Sequence, residues 1–187
     1  MTANKHFKRR VRDRARRTGE SYTAALRHLR RDPEERPVGW QRIEKAAFGY
    51  AVQVPEGWVE HPPNLKNSPF ETARFIDPAD RRHSVTVFRG MPQPGVSALQ
   101  VAEQIQVTLE ASGFGDVRIA VAEVAGQSGA RLDCAKHDAG RVWAVREYIA
   151  VRGPDRFILG CASAAPDEDD PLFTAIADRF EILNPGG

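Results

Sequence analysis

VRIAVAEVAGQSGARLDCAKHDAGRVWAVREYIAVRGPDRFILGCASA, residues 117–164, carries the strongest structural signal in the chain. Four runs stand out: VRIAVAEV, ARLDCAK, RVWAVREYIAV and RFILGCASA. Short Gly- and Asp-containing clusters at 126–129, 138–140 and 153–155 separate them. Alternation of apolar and polar residues marks a strand with one buried face, and turns this short join antiparallel neighbours. Four such strands in succession make an antiparallel meander.

The segments before it extend the sheet. FGYAVQV, residues 48–54, alternates and stops at Pro55, and Glu56, Gly57 and Trp58 read as a turn that sets a large aromatic against the core. HPPNLKNSPF, residues 61–70, is a polar loop broken by proline, of a length unusual enough to mark either a binding loop or simply a mobile one. Strands are expected at 72–76 and 84–88, joined by the turn-like DPADRRH. A helix is expected from Ser97, which forms a capping box with Gln100, carries Val101, Ile105 and Leu109 on one face and stops at Gly113. A last helix is expected to start at Asp170 with Pro171 as its first residue and Phe173, Ile176 and Phe180 on its inner face, ending before Asn184 and Pro185 and covering the sheet. The fold class expected is α+β, an antiparallel sheet of about six to seven strands flanked by helices.

The N-terminus is different in kind. KHFKRRVRDRARR, residues 5–17, holds eight Lys/Arg and one acidic residue. Residues 1–36 carry a net charge of +7 and residues 37–187 a net charge of −5, although the whole chain is only +2. Residues 5–17 favour helix, with Phe7, Val11 and Ala15 on one stripe and Thr18 and Gly19 as the stop. Ser21 can cap a second helix, SYTAALRHLRR, so residues 1–31 read as a basic helical hairpin. The organisation expected is this head, a proline-containing linker over 32–47, and a body over 48–183.

The order of these elements, from FGYAVQVPEGW through the long loop, two strands, the amphipathic helix, GlyGlnSerGlyAlaArgLeu, WAVREYIAV, RFILGCAS and LFTAIADRFEIL, resembles the Mog1/PsbP-like α/β/α sandwich over about residues 48–183. That superfamily includes a Ran-binding protein, a photosystem subunit and bacterial lipoproteins, so the resemblance implies partner binding more than catalysis. The chain departs from the lipoproteins, having no signal peptide or lipobox cysteine. The head resembles arginine-rich TGESY-type leaders of bacterial proteins, from which no function carries over.

Several motifs fail as chemistry. GlyGlnSerGlyAla at 126–130 lacks the last glycine of the hydrolase nucleophile elbow and is flanked by strand on both sides, so it reads as a hairpin turn. Gly113 and Gly115 follow a helix instead of opening one, and Arg118 stands where a dinucleotide fingerprint needs glycine. His6, His28, His61, His83 and His137 show no metal-ligand spacing, and Cys134 and His137 point to opposite faces of a strand. DEDD at 167–170 fits a helix N-terminus, where negative charge is favoured. Cys134 and Cys161 sit in apolar runs and read as buried thiols of a reducing compartment. No run approaches the ~20 apolar residues of a membrane span. The Arg-rich, acid-poor start also has the composition of an organelle transit peptide.

The function expected is therefore that of a non-catalytic cytoplasmic adaptor with no cofactor and no metal. Its body binds a protein partner, and Lys5, Lys8, Arg9, Arg10, Arg12, Arg14, Arg16 and Arg17 tether it to nucleic acid or another anionic surface. Self-docking of the head on the acidic body is the main rival. A small enzyme beside the 61–70 loop, using Asp133, His137 or Glu147, and a secretion or maturation factor with an acidic protein partner are the alternatives.

Overall fold

The computed structural model describes residues 3–19, 21–23, 39–92, 94–138 and 140–184. Helix α1 spans Ala3–Thr18, followed by β1 (Trp40–Lys45), a 3₁₀ turn (Ala46–Phe48), β2 (Tyr50–Pro55), β3 (Val59–His61), β4 (Glu71–Asp77), β5 (Asp80–Gly90), α2 (Ala98–Ala111), β6 (Gly115–Val124), β7 (Gln127–Asp138), β8 (Arg141–Arg152), β9 (Asp155–Ser163), α3 (Pro166–Ala177) and β10 (Glu181–Ile182). A seven-stranded sheet runs β3-β4-β5-β9-β8-β7-β6 and a three-stranded sheet runs β1-β2-β10, every pairing antiparallel.

The meander forms, but both faces of its central strands are covered, not one, so consecutive residues serve different cores. On one face, Tyr148 and Ala150 of β8 and Leu159 and Cys161 of β9 meet Phe75 and Val85 of the same sheet, Tyr50, Val52 and Val54 of β2, and Phe173 and Ile176 of α3. On the other, Ile149 and Ile158 join Ala130, Leu132 and Cys134 under Val101 and Ala102 of α2. The period of two along a strand places the two sets on opposite sides. Two layers of cover on one sheet give the α+β sandwich.

Local signals mostly hold. Ser97 and Gln100 close the capping box on α2, and Gly113 ends it with a left-handed φ of 83°. Trp58 follows a turn at Gly57 (φ 87°) and is buried. The turn expected at 126–129 is tighter, made by Ala125 and Gly126, and Gly129 lies inside β7. A Cβ at Gly129 would stand 2.4 Å from the Ile149 carbonyl oxygen on β8, so only glycine fits this strand pair. Gly129→Ala is expected to lower stability by roughly 1–3 kcal/mol, as overpacking does, read by chemical denaturation.

Three expectations are corrected. The last helix begins at Pro166, one turn before Asp170, and Pro171 lies inside it. Pro166 fits the first helical turn, and the earlier start sets Asp167, Glu168 and Asp169 over the exposed amides. The segment 32–47 is not linker throughout, because Trp40–Lys45 is strand β1, paired along β2 from Trp40↔Pro55 to Lys45↔Tyr50. The turn-like DPADRRH narrows to residues 78–79, with 80–83 already in β5. Of the second helix expected in the head only residues 21–23 are described, with Tyr22 and Thr23 helical; the rest of SYTAALRHLRR and DPEERP lie outside the described residues.

Candidate functional site

Helix α1 is docked. It packs on β8, and Val11 is fully buried. Gly19 ends it in the left-handed conformation (φ 73°) and donates its N–H to the Ala15 carbonyl at 3.0 Å, as a helix C-terminus requires. At 3.6 residues per turn, Val11, Arg14, Ala15 and Thr18 share an arc of about 100°. Arg14 lies on this inner arc, with its side chain 3% exposed, and donates to Glu168 Oε2 in the first turn of α3.

The outer arc is basic. Lys8, Arg9, Arg12 and Arg16 fall within about 100° of one another on the side away from the body, and all four are exposed, Arg9 and Arg16 at 81% and 77% of their side chains. Asp13 borders the arc, with ion pairs to Arg9 and Arg16. Lys5, Arg10 and Arg17 have side chains outside the described set. Of the eight basic residues expected to hold an anion, the structure thus brings four onto one surface and turns Arg14 inward.

Beneath Arg14 lies a polar cluster that sequence reasoning missed. Asp169, 3% exposed, accepts from Ser163 Oγ; His83 Nδ1 stands 3.1 Å from the same carboxylate oxygen, and Arg82 Nη2 lies 3.3 Å from the other. Arg82 also reaches Asp80 at 2.7 Å and Glu168 at 3.0 Å. His83 is stacked on Trp58 and edge-on to Phe173. Burial works against charge on the imidazole, but the hydrogen bond to Asp169 and the charges of Asp169, Asp80 and Asp77 outweigh it, so its pKa stands above the ordinary value. A Ser–His–Asp relay needs histidine between serine and carboxylate; here the carboxylate lies between the other two. Ser163, moreover, is fully buried. The set is a structural network around the start of α3. The run DEDD was its sequence trace, read only as a helix cap.

The residues of the enzyme alternative do not converge. Asp133 binds Arg146 and Arg131. His137 meets Asp116 at 3.1 Å, both exposed. Glu147 points the other way from its neighbour Arg146, which reaches Asp170 on α3. It lies 9% exposed with Oε2 lacking a hydrogen-bond partner, and burial pushes its pKa to about 7 against the opposing charge of Arg156. Cys134 and Cys161 are free and buried in different cores, and burial raises Cys134 to about 12. In the 61–70 loop Leu65 and Phe70 are exposed, with the Arg156 guanidinium 4.8 Å from the Phe70 ring centre. Among the described residues no three His, Cys, Asp or Glu side chains could hold a metal ion, and no helix is long and apolar enough to cross a membrane.

The layered arrangement has known counterparts. Cyanobacterial PsbP (CyanoP) from Synechocystis sp. PCC 6803 matches with a TM-score of 0.51 at 20% identity, over 78% of this chain and 95% of its own. The Ran-binding protein Mog1p of Saccharomyces cerevisiae gives 0.51 at 11% identity, over 78% and 96%. The chain has the Mog1/PsbP-like fold. LpqN, involved in cell envelope biogenesis of Mycobacterium tuberculosis, shares it with a TM-score of 0.52 at 16% identity, over 78% and 91%. No family model and no curated protein sequence matches the chain. At these identities the Mog1/PsbP-like likeness describes the architecture of the body, and the basic arc of α1 must be read from this chain's own residues.

Proposed function

We propose that the chain is a non-catalytic intracellular binding protein whose body engages a protein partner and whose docked basic helix holds the phosphate backbone of nucleic acid. The division of α1 into a buried arc and a basic arc carries this reading. A free tail would spread its charges over all directions, whereas docking turns four of them outward together. Lys8, Arg12 and Arg16 recur every four residues, so they rise by about 6 Å per step along one line, a spacing suited to successive phosphates of one strand. Arginine adds paired N–H donors to each contact. Contacts to phosphate carry no sequence information, so binding through the arc is expected to be indifferent to sequence. For the body, the Ran-binding relative of the same fold supports a protein partner.

Fluorescence anisotropy with a labelled DNA duplex at several salt concentrations tests the helix. Four neutralised phosphates give a slope of log K against log salt of about −3 to −4. Glutamine at Lys8, Arg9, Arg12 and Arg16 together is expected to abolish the binding and leave the body folded. Equal binding and equal slope in the native chain and this variant would defeat the proposal.

A further inference from the structure

We infer that the outer edge of the large sheet, strand β6, is the surface by which this chain pairs with a second copy of itself. β6 closes the order β3-β4-β5-β9-β8-β7-β6, and among the described residues it pairs with β7 alone. An unpaired edge is a template for another strand, and proteins that stay single blunt theirs with charge, brevity or bulges. The other edges of this molecule are blunted in that way. β1 reads WQRIEK, with Arg42 and Lys45 in ion pairs to Glu44, Glu181 and Glu60. β3 has three residues and β10 two. β6 has ten, runs through Ile119, Ala120, Val121 and Ala122 without a charge, and leaves Val121 67% exposed. Its bulge, between Gly115 and Arg118, guards only the start of the strand.

The backbone of β6 turns outward at every second residue. Ala125 and Gly126, both at positive φ (51° and 71°), make the two-residue turn into β7 and set Val124 opposite Gln127 as a hydrogen-bonded pair. Such pairs alternate along an antiparallel ladder. Ala122, Ala120 and Arg118 therefore bond to Gly129, Arg131 and Asp133, and the N–H and C=O groups of Ile119, Val121 and Glu123 point to the open side. A second β6, antiparallel about a twofold axis normal to the sheet, meets those groups with its own. Residues opposite each other share a face of the sheet, so the axis passes through a residue. With the axis at Ala120, Ile119 of each copy lies opposite Val121 of the other, and Arg118 lies opposite Ala122. Two pairs of β-branched side chains form, no like charges meet, and the exposed Val121 gains cover. An axis at Val121 would set Ile119 against Glu123. An axis at Ile119 would set Val121 against Val117, inside the bulged stretch. The register through Ala120 is the one that β6 favours.

One pair of strands makes a small interface, at the weak end of specific contacts, so sedimentation velocity is run at high chain concentration. The native chain is expected at twice the monomer mass and Val121→Pro at the monomer mass. Proline at 121 removes only an N–H that points away from β7, so the ladder within the monomer stays whole, which an unchanged circular dichroism spectrum checks. Ala120→Cys reads the register independently. Its thiol faces its own copy across the axis in a non-hydrogen-bonded pair, where side chains approach most closely, and mild oxidation is expected to link most of the protein into a covalent dimer. Arg118→Cys, on the same face, lies about 13 Å along the ladder from its copy and is expected to stay a free thiol. Cys134 and Cys161 are buried and take no part. A native chain that stays monomeric overturns the proposal and leaves the edge to a strand of another protein. A dimer that survives Val121→Pro, or one linked as readily through Arg118→Cys as through Ala120→Cys, overturns it as well. None of these outcomes depends on what α1 binds.

Discussion

Glu147→Gln is expected to gain stability over the native chain as pH rises, by roughly 2–3 kcal/mol between about pH 5 and pH 8. Glu147 lies 9% exposed on the α2 side of β8, Oε2 has no hydrogen-bond partner, and burial raises its pKa from 4.5 to about 7. Because the folded value lies above the unfolded one, the native state holds the proton more tightly. Stability from this group is complete below the unfolded value and is lost as pH rises through the folded value of about 7. Glutamine has the same shape and never ionises, so it removes that loss at the cost of burying an amide, which dominates only at the acid end. Chemical denaturation of both proteins across this range measures it. A difference that stays flat with pH would mean that the carboxylate ionises in the fold as freely as in water.

Asp169→Ala is expected to cost about 3–5 kcal/mol, the usual penalty for stripping the partner from buried charge. Ser163 Oγ, His83 Nδ1 and Arg82 Nη2 all turn to this carboxylate, and His83 is itself packed between Trp58 and Phe173. The histidine adds a pH signature. Its folded pKa is raised, so its contribution is full below the unfolded value of 6.5 and falls as pH climbs through the folded one. Asp169→Ala should flatten that part of the pH profile of unfolding as well as lower its midpoint. A loss below about 1 kcal/mol would show that the cluster contributes no more than an exposed ion pair.

What the sequence reveals follows from how side chains divide between faces. The meander is legible because Tyr148 and Ile149, or Ile158 and Leu159, feed separate cores and leave a continuous apolar run bounded by turns. Strand β1 is not, because WQRIEK has no apolar alternation. Its inner positions include Gln41, which bonds the Trp58 carbonyl at 2.7 Å, and Trp40 is partly covered by the Arg179 guanidinium, 4.3 Å from its ring centre. Two-residue β10 is too short to leave a pattern. At the site, the charge of the head and the DEDD run are both visible in the sequence, but their meeting through Arg14 and Glu168, 154 residues apart, belongs to tertiary structure. His83 gives no local sign of its role, since its carboxylate partner lies on another element.

The small sheet also orders events in time. Strand β2 stands between β1 and β10, and its inner neighbours Tyr50 and Ala51 pair with Ile182 and Glu181, while Leu183 donates to the Gly49 carbonyl at 2.9 Å. A chain emerging from the ribosome exposes that edge of β2 while more than a hundred further residues are made. Such long-range pairing is slow and leaves an open strand in the meantime. The edge is sealed only once residues 181–183 pair with it, so until they are made the nascent chain carries an open strand that can take a wrong partner.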